Sequence, residues 1–441
     1  MGPRSSYMVL FILASTCLAS AAQVTLQRAV QLAMGHSSAG AIANSNSSRA
    51  LAYEQELRDA YIPQINFGSN LGYSFGFPLS LEGSAPAILS LNAQSTVWNL
   101  AQRDLIRAAR KDSEASGAMA KYQRSQIVQQ VTSAYLQLAK WQEELSLLNS
   151  QKKVSENILV TEQLRVHAGV DSELELRRAK LLPAQSAVQI ATAEENICML
   201  QQRLAQMTGL TTKDLDIVPG SIPTLPLPDN PAESPASVSG NPAVAAAAAT
   251  ADASELRARG AHKTAYPTAD FAAQYGLIDP AFTDYEKFFA RGAFQGNNVT
   301  AALVFRIPFN LAQRSHARIE YAEAVRARTE AIQSRERAEA DILMLEHEVR
   351  RLTAVRDLSQ LRFEVSQAEM NATQTRYNNA VGTLRDLQNA VLDASQKTID
   401  RINDEIQLAD SQIKLLSLSG RIDEWIASGI VNSPLGSLSH N

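Results

Sequence analysis

The chain has 441 residues, 45% of them apolar and 20% charged, with a mean hydropathy near zero at −0.16. That composition excludes a disordered chain and leaves room for two or three ordinary domains. A formal net charge of −4 supplies no basic excess for a nucleic-acid partner and no acidic block for recruiting cations.

The chain opens on Arg4, an apolar run from Tyr7 to Leu13, and small residues at Ala19, Ser20 and Ala21. A charge, a short apolar stretch and a small-residue cleavage site predict a secretory signal over 1–21, too short to cross a bilayer as a helix. Cys17 raises the alternative of a lipid-modified start, to which Ala14, Ser15 and Thr16 are a poor match. Removing the signal leaves one cysteine, Cys198, so the exported chain is held by packing without an internal disulfide. Between Ile197 and Leu200, Cys198 reads as a small buried or seam residue. Beyond the signal no run of 18 apolar residues occurs, so any membrane crossing must be made by strands.

Helical segments over 25–60 and 243–264 each lead into a stretch that alternates by two. From Pro63 the odd positions are Ile65, Phe67, Leu71, Tyr73, Phe75 and Phe77, and the even ones Gln64, Asn66, Gly68, Asn70 and Gly72. Leu89, Leu91, Ala93 and Val97 alternate with Ser90, Asn92, Gln94 and Thr96. The pattern returns in Ala269, Phe271, Ala273 and Tyr275, and again in Val299, Ala301, Leu303, Phe305, Ile307 and Phe309. These are strand pairs over 63–98 and 267–309, apolar on one face. They hold ten of the twelve phenylalanines, as a lipid-facing barrel wall requires, although a half-buried soluble sandwich alternates in the same way. Four strands cannot close a barrel alone, so in lipid several chains would share one.

Each strand pair runs into a long helical hairpin, over 99–208 and 310–426. In the first, Ile127, Val131, Ala134, Leu138, Trp141, Leu145 and Leu148 mark a heptad seam. The rhythm continues in Ile190, Ala193, Ile197, Leu200, Leu204 and Met207. It returns in Ile342, Leu345, Val349 and Leu352, and in Ile399, Ile402, Ile406, Ala409, Ile413 and Leu416. A helix of about 65 residues would be roughly 100 Å long. Asn99 and Asn310 suit its N-cap, with Gln102 and Gln313 three residues on completing a capping box. Pro183 is expected to kink or interrupt the first returning helix.

The two hairpins belong to one plan written twice. Asn99-Leu100-Ala101-Gln102-Arg103 recurs as Asn310-Leu311-Ala312-Gln313-Arg314, an offset of 211 residues. Arg165, Ser172, Glu175, Leu176 and Ala179 face Arg376, Thr383, Asp386, Leu387 and Ala390 at the same offset. Upstream, Ala60-Tyr61-Ile62-Pro63 answers Ala265-Tyr266-Pro267. The organisation is a first repeat over 22–210, a linker over 211–242 expected to run extended along the outside, a second repeat over 243–428, and an unstructured tail over 429–441. Seven prolines fall in 219–242.

Chemistry-bearing constellations are sparse. Six histidines form no metal pattern; Glu346, His347 and Glu348 are adjacent on a helix and diverge around it. His167 reads as a plain surface residue. No nucleophile-elbow, phosphate-loop or zinc motif occurs, so neither an enzyme nor a bound cofactor or metal is expected. Arg306 falls on the polar face of its strand; it either points into a lumen or anchors the strand end at the membrane boundary.

Two strand-pair and hairpin units behind a signal, joined by a proline-rich linker, resemble the outer membrane efflux protein (TolC-like) family. The likeness covers Thr25 to Trp425. Its sharpest match is Arg376-Tyr377-Asn378-Asn379-Ala380-Val381-Gly382-Thr383-Leu384-Arg385-Asp386-Leu387-Gln388-Asn389-Ala390, similar to the family's tip turn; Arg165-Val166-His167-Ala168-Gly169-Val170-Asp171-Ser172-Glu173-Leu174-Glu175-Leu176-Arg177-Arg178-Ala179 is the looser first copy. The resemblance implies a mostly α chain with β-strands. Long antiparallel coiled-coil hairpins would form a helical barrel through the periplasm, and four transmembrane strands per chain would complete a 12-stranded barrel in a homotrimer. It implies residence in the outer membrane and a passive duct of a tripartite efflux or type I secretion system, served by a periplasmic adaptor and an inner-membrane pump. Asp386 and Glu175, with Thr383, Ser172, Asn389 and Arg178, would surround the periplasmic gate, where an acidic ring favours cations. The adaptor would dock on the turns carrying Arg165, Gly169, Val170, Arg376, Ala380 and Gly382. The chain departs from the family pattern at Asn389, where a second acid is usual, at Ala380, where glycine is, and at the leucine–alanine pair replacing two glycines after each second strand. A periplasmic adaptor or an envelope coiled-coil protein shares the hairpins, and the aromatic strand pairs argue against both.

Overall fold

The computed structural model of the chain describes residues 23–70, 87–212, 215–226, 238–277, 297–308, 311–379 and 381–428. The signal, the tail, Asn310, Ala380 and the central part of the linker lie outside the described residues, as do the distal positions of the strand pairs from Leu71 to Phe77.

A short strand β1 (Gln23–Val24) leads into helices α1 (Leu26–His36) and α2 (Ser38–Asp59). Strands β2 (Gln64–Asn70) and β3 (Ala87–Trp98) follow, then the long helices α3 (Leu100–His167) and α4 (Glu173–Thr208). After β4 (Asp216–Ile217) come α5 (Pro242–Lys263), β5 (Thr268–Leu277), β6 (Asn297–Arg306), α6 (Leu311–Asn378), α7 (Leu384–Leu418) and α8 (Ile422–Ser428). The outgoing helices α3 and α6 are each 68 residues long, roughly 100 Å at 1.5 Å per residue.

Strands β2, β3, β5 and β6 form one antiparallel sheet in that order. Register aligns Phe67, Leu91, Tyr275 and Val299 in one row across it, and Asn66, Asn92, Gln274 and Thr300 in a neighbouring row. Alternation in the sequence therefore becomes two continuous faces, one apolar and one polar. The apolar face is bare: Ile65, Phe67, Val299, Leu303 and Phe305 are all more than half exposed.

The helical starts follow local chemistry. Asn99 Oδ1 accepts the Gln102 N–H at 3.1 Å and caps α3. The reciprocal half of the capping box is not made. Gln102 instead donates its side-chain amide to the Leu57 carbonyl at 2.8 Å, satisfying an acceptor left over at the end of α2. Pro183 does not interrupt α4, which runs unbroken from Glu173 to Thr208 around it. Pro183 supplies no N–H to the fourth carbonyl before it, that of Ala179. Cys198 is exposed rather than buried.

Around the middle of α3 the burial is wider than one heptad seam. Val128, Val131, Tyr135, Leu136 and Leu138 are all buried because α1, α4, α7, α8 and the start of the linker wrap the helix. The linker therefore does not begin on the outside: Leu215, Ile217 and Ile222 enter this core, and β4 pairs in parallel with β1. Tyr135 is the tie. Its hydroxyl lies 2.9 Å from the carbonyls of Val24 and Val218 and from the Ser221 hydroxyl, and accepts the Val218 N–H at 2.9 Å. Further along, Ser133 meets Asp410 at 2.9 Å and Ser395 meets Gln151 at 2.5 Å, joining α3 to α7.

Replacing Tyr135 with Phe keeps the ring and orphans the Val218 N–H inside the core. The expected loss is about 1–3 kcal/mol, read as a lower melting temperature of the purified protein; an unchanged melt would count against this tie.

Candidate functional site

The two turns between outgoing and returning helices bring most of the predicted site residues to one end of the molecule. Each turn is closed by the same backbone bond: Val170 N–H reaches the Arg165 carbonyl at 2.9 Å, and Val381 N–H reaches the Arg376 carbonyl at 3.0 Å. Gly169 sits at φ +70°, a left-handed conformation that favours glycine. Gly382 packs on the preceding backbone, where a Cβ would stand 3.1 Å from the Tyr377 nitrogen. The closure pushes Val170 and Val381 outward, 63% and 81% exposed. Val381 was not among the residues singled out from sequence; its match to Val170 at the repeat offset was the available signal.

The returning helices start by capping. Ser172 accepts the Glu175 N–H at 3.4 Å, and Thr383 accepts the Asp386 N–H at 3.2 Å. Glu175 and Asp386 thus occupy equivalent places in the first turn, where an acid complements the helix dipole. Their partners differ. Glu175 pairs with Arg178 at 2.6 Å, whereas Asp386 accepts a hydrogen bond from the Thr383 hydroxyl at 2.7 Å and makes no ion pair among the described residues. Asn389 and Arg376 line one shallow cleft with Glu369 and Asp393 on the flank of α6 and α7. Arg306 is remote from this end. It lies in β6 and pairs with Asp270 on the polar face of the sheet at 3.2 Å.

Behind the turns the two hairpins meet in a small core of Ile158, Ala179, Leu182, Tyr377, Leu384, Leu387 and Val391. Arg165 joins its edge, 2.5 Å from Asp171 and 5.6 Å from the centre of the Tyr377 ring. Asp171 is held below the usual carboxylate range by that guanidinium. Glu162 is the exception among these charges. It is fully buried, and neither carboxylate oxygen has a partner; the Tyr377 hydroxyl is likewise buried and unpartnered. Burial, then the nearby Asp171 carboxylate, raises the Glu162 pKa, against the opposing pull of Arg165. In the sequence Glu162 was visible only as an acid one helical turn after Ile158 in an apolar seam. Among the described residues no cluster of histidine, cysteine or carboxylate could hold a metal ion.

Neither a protein-family model nor a curated protein matches the sequence. Solved structures do match the fold. The outer membrane protein VceC of Vibrio cholerae is similar at a TM-score of 0.73 and 16% identity, over 90% of this chain and 96% of that one. The CmeC outer membrane channel of Campylobacter jejuni gives 0.74 at 14% identity, over 93% and 90%. The MtrE outer membrane channel of Neisseria gonorrhoeae, solved in its open state, gives 0.72 at 16%, over 90% of each chain. The chain has the TolC-like fold of these outer membrane channels.

Because the folded tip raises the Glu162 pKa, it binds the proton more tightly than the unfolded chain does. The stabilising contribution is complete below the ordinary value of 4.5 and is lost as pH rises above it. Amide exchange in the turn at 168–172, corrected for its intrinsic pH dependence, should therefore speed up between pH 4.5 and neutrality. In Glu162→Gln that acceleration should vanish, with greater protection at pH 7; the same profile in both proteins would refute the assignment.

Proposed function

We propose that this chain is the outer-membrane duct of a tripartite efflux or type I secretion system. Three copies form one channel, each giving four strands to a 12-stranded barrel and two helical hairpins to a tunnel reaching through the periplasm. The chain itself carries out no chemistry. An inner-membrane pump and a periplasmic adaptor deliver cargo to the closed end, and the adaptor docks on the turns around Val170 and Val381.

One observation carries this reading: an open four-stranded sheet whose apolar row is bare on one side and whose polar row lies on the other. Lipid on the first face and water on the second satisfy that division without further protein. No helix among the described residues is long and apolar enough to cross a membrane, so the strands are the spanning elements on this reading. The long hairpins supply the reach, and the likeness to known outer membrane channels over about nine-tenths of the chain supports the assembly. Thr383, Ser172, Asn389 and Arg178 frame the narrow end, with Asp386 and Glu175 as its acids.

Expressed with its signal, the protein should fractionate with the outer membrane and run as a heat-dissociable trimer. Recovery as a soluble periplasmic monomer would exclude the duct. In planar bilayers the trimer should prefer cations. Asp386→Asn keeps an oxygen acceptor for Thr383 and removes the charge, so the reversal potential in a salt gradient should move toward anion passage. An unaltered potential would remove Asp386 from the opening.

A further inference from the structure

Two grooves at the junction of sheet and helices repeat one constellation that passive conduction does not use. In the first repeat, Tyr61 just past α2 and Arg103 and Arg107 on α3 line a groove with Trp98 of β3. In the second, Tyr266 just past α5 and Arg314 and Arg318 on α6 line another. The arginines correspond at the repeat offset of 211 residues, and the tyrosines stand in the matched segments 60–63 and 265–267. One plan thus sets a tyrosine and two arginines at the same place twice.

Arginines four residues apart share one face of a helix, about 6 Å from each other along its axis. All four are exposed. Arg103, Arg314 and Arg318 make no ion pair or hydrogen bond among the described residues. Arg107 reaches Asp104 only at 3.4 Å, and that carboxylate is already held by Lys263 at 2.5 Å. Neither groove is lined by a free acid. The first has none; in the second, Asp252 lies 3.7 Å from Lys111 and Glu255 pairs with Arg259. Nor is the first groove a gap left by an absent helix, because α2 and α5 both flank α3 and its two arginines still face outward.

The sheet indicates which anion these grooves meet. Strand β3 shifts register at Val97, between Thr96 and Trp98. The extra residue brings Trp98 opposite Ala269, which in turn stands opposite Phe305. Trp98 is 44% exposed and Phe305 73%, so the bulge sets the indole into the bare apolar row at the end nearest the helices. The groove holding Arg103 and Arg107 therefore opens on the side of the sheet that lipid covers on the duct reading. Aromatic rings and arginines just beyond an apolar band suit the headgroup level of a bilayer. A guanidinium fork matches the paired oxygens of a phosphate.

We propose that each groove is a headgroup site for an anionic phospholipid of the periplasmic leaflet, its phosphate held between the paired arginines and its acyl chains lying along the apolar row. This rests on the duct reading and goes beyond it: the strands accept any lipid, whereas the grooves choose lipid by charge. A zwitterionic lipid brings a cationic amine for which neither groove has an open carboxylate.

Trp98 is a built-in reporter, since Trp425 packs in the mid-length core and Trp141 lies about 60 Å along α3 from the sheet. The full-length protein is placed in vesicles of equal parts phosphatidylglycerol and phosphatidylcholine, with bromine on the acyl chains of one lipid or the other. Brominated phosphatidylglycerol should quench tryptophan fluorescence more strongly, a several-fold preference with about fivefold as the ceiling for each arginine. In Arg103→Gln with Arg107→Gln the two lipids should quench alike; Asp104 keeps Lys263 as its partner there. Arg337→Gln with Arg362→Gln, which removes the same charge further along α6, should retain the preference. Tyr266→Trp with Trp98→Phe carries the measurement to the second groove, read against Arg314→Gln with Arg318→Gln. Equal quenching in the unaltered protein, or a preference that survives loss of the arginines, overturns the headgroup sites and leaves the duct standing. A preference that excess inorganic phosphate abolishes at constant ionic strength makes the grooves free-anion sites and overturns them equally. If neither brominated lipid quenches, the sheet is not in lipid and the duct reading falls as well.

Discussion

A flat row of apolar side chains on a sheet with two open edges is the constraint from which the rest of the molecule follows. Backbone N–H and C=O groups on β2 and β6 must find partners if the sheet sits in hydrocarbon, because an unsatisfied group there costs several kcal/mol. Water would satisfy those edges and leave Ile65, Phe67, Val299 and Phe305 exposed; lipid would cover the side chains and leave the edges bare. On the proposed duct reading, closure with strands of further copies in lipid meets both demands, and the sheet and the oligomer become one physical problem.

The helical part solves a different problem, which is length. A helix of 68 residues cannot be stabilised by a single globular core, and the packing changes character along it. Near the strands α3 touches α5 through small residues and ion pairs, with Gly260 set against Ala101 and Leu105. At mid-length it is surrounded, and Tyr135 fixes the chain start and the linker against it. At the far end only a thin core joins the hairpins. That end also carries a buried carboxylate without a hydrogen-bond partner, Glu162. A thin core holding such a group opens more readily than a thick one.

Much of this was legible in residue patterns. Period two over Gln64–Asn70 and Asn297–Arg306 and period three-and-a-half over α3 and α7 are direct consequences of which face is covered. The matched segments Arg165–Ala179 and Arg376–Ala390 announced the turns. What could not be read is what depends on distant chain. Gln102 had the sequence of a capping-box residue and spends its amide on the end of α2 instead. The linker reads as solvated from its prolines, yet Ile217 and Ile222 are core because β1 offers a strand to pair with. Val131 and Leu138 belong to one heptad seam, but the burial of Val128 and Leu136 beside them comes from α1 and its neighbours, which no local period encodes. Pro183 passes through α4 without ending it, and nothing in the structure explains its presence there.

The two turns are alike in backbone and differ in how their equivalent acids are partnered. Both Glu175 and Asp386 stand where helix capping places an acid, so their position alone would follow from secondary structure. In the first hairpin Asp171 pairs with Arg165 and Glu175 with Arg178, while Glu173, in the same first turn, is exposed and makes no ion pair among the described residues. The second hairpin replaces the Arg178 position with Asn389, and Asp386 keeps only a hydroxyl partner. Paired charges cancel over a few ångströms in water, while an unpaired carboxylate projects its field across about a Debye length, 8 Å at physiological salt. Of the two equivalent acids, Asp386 is therefore the one left without a cation, and the residue type at the Asn389 position accounts for that difference.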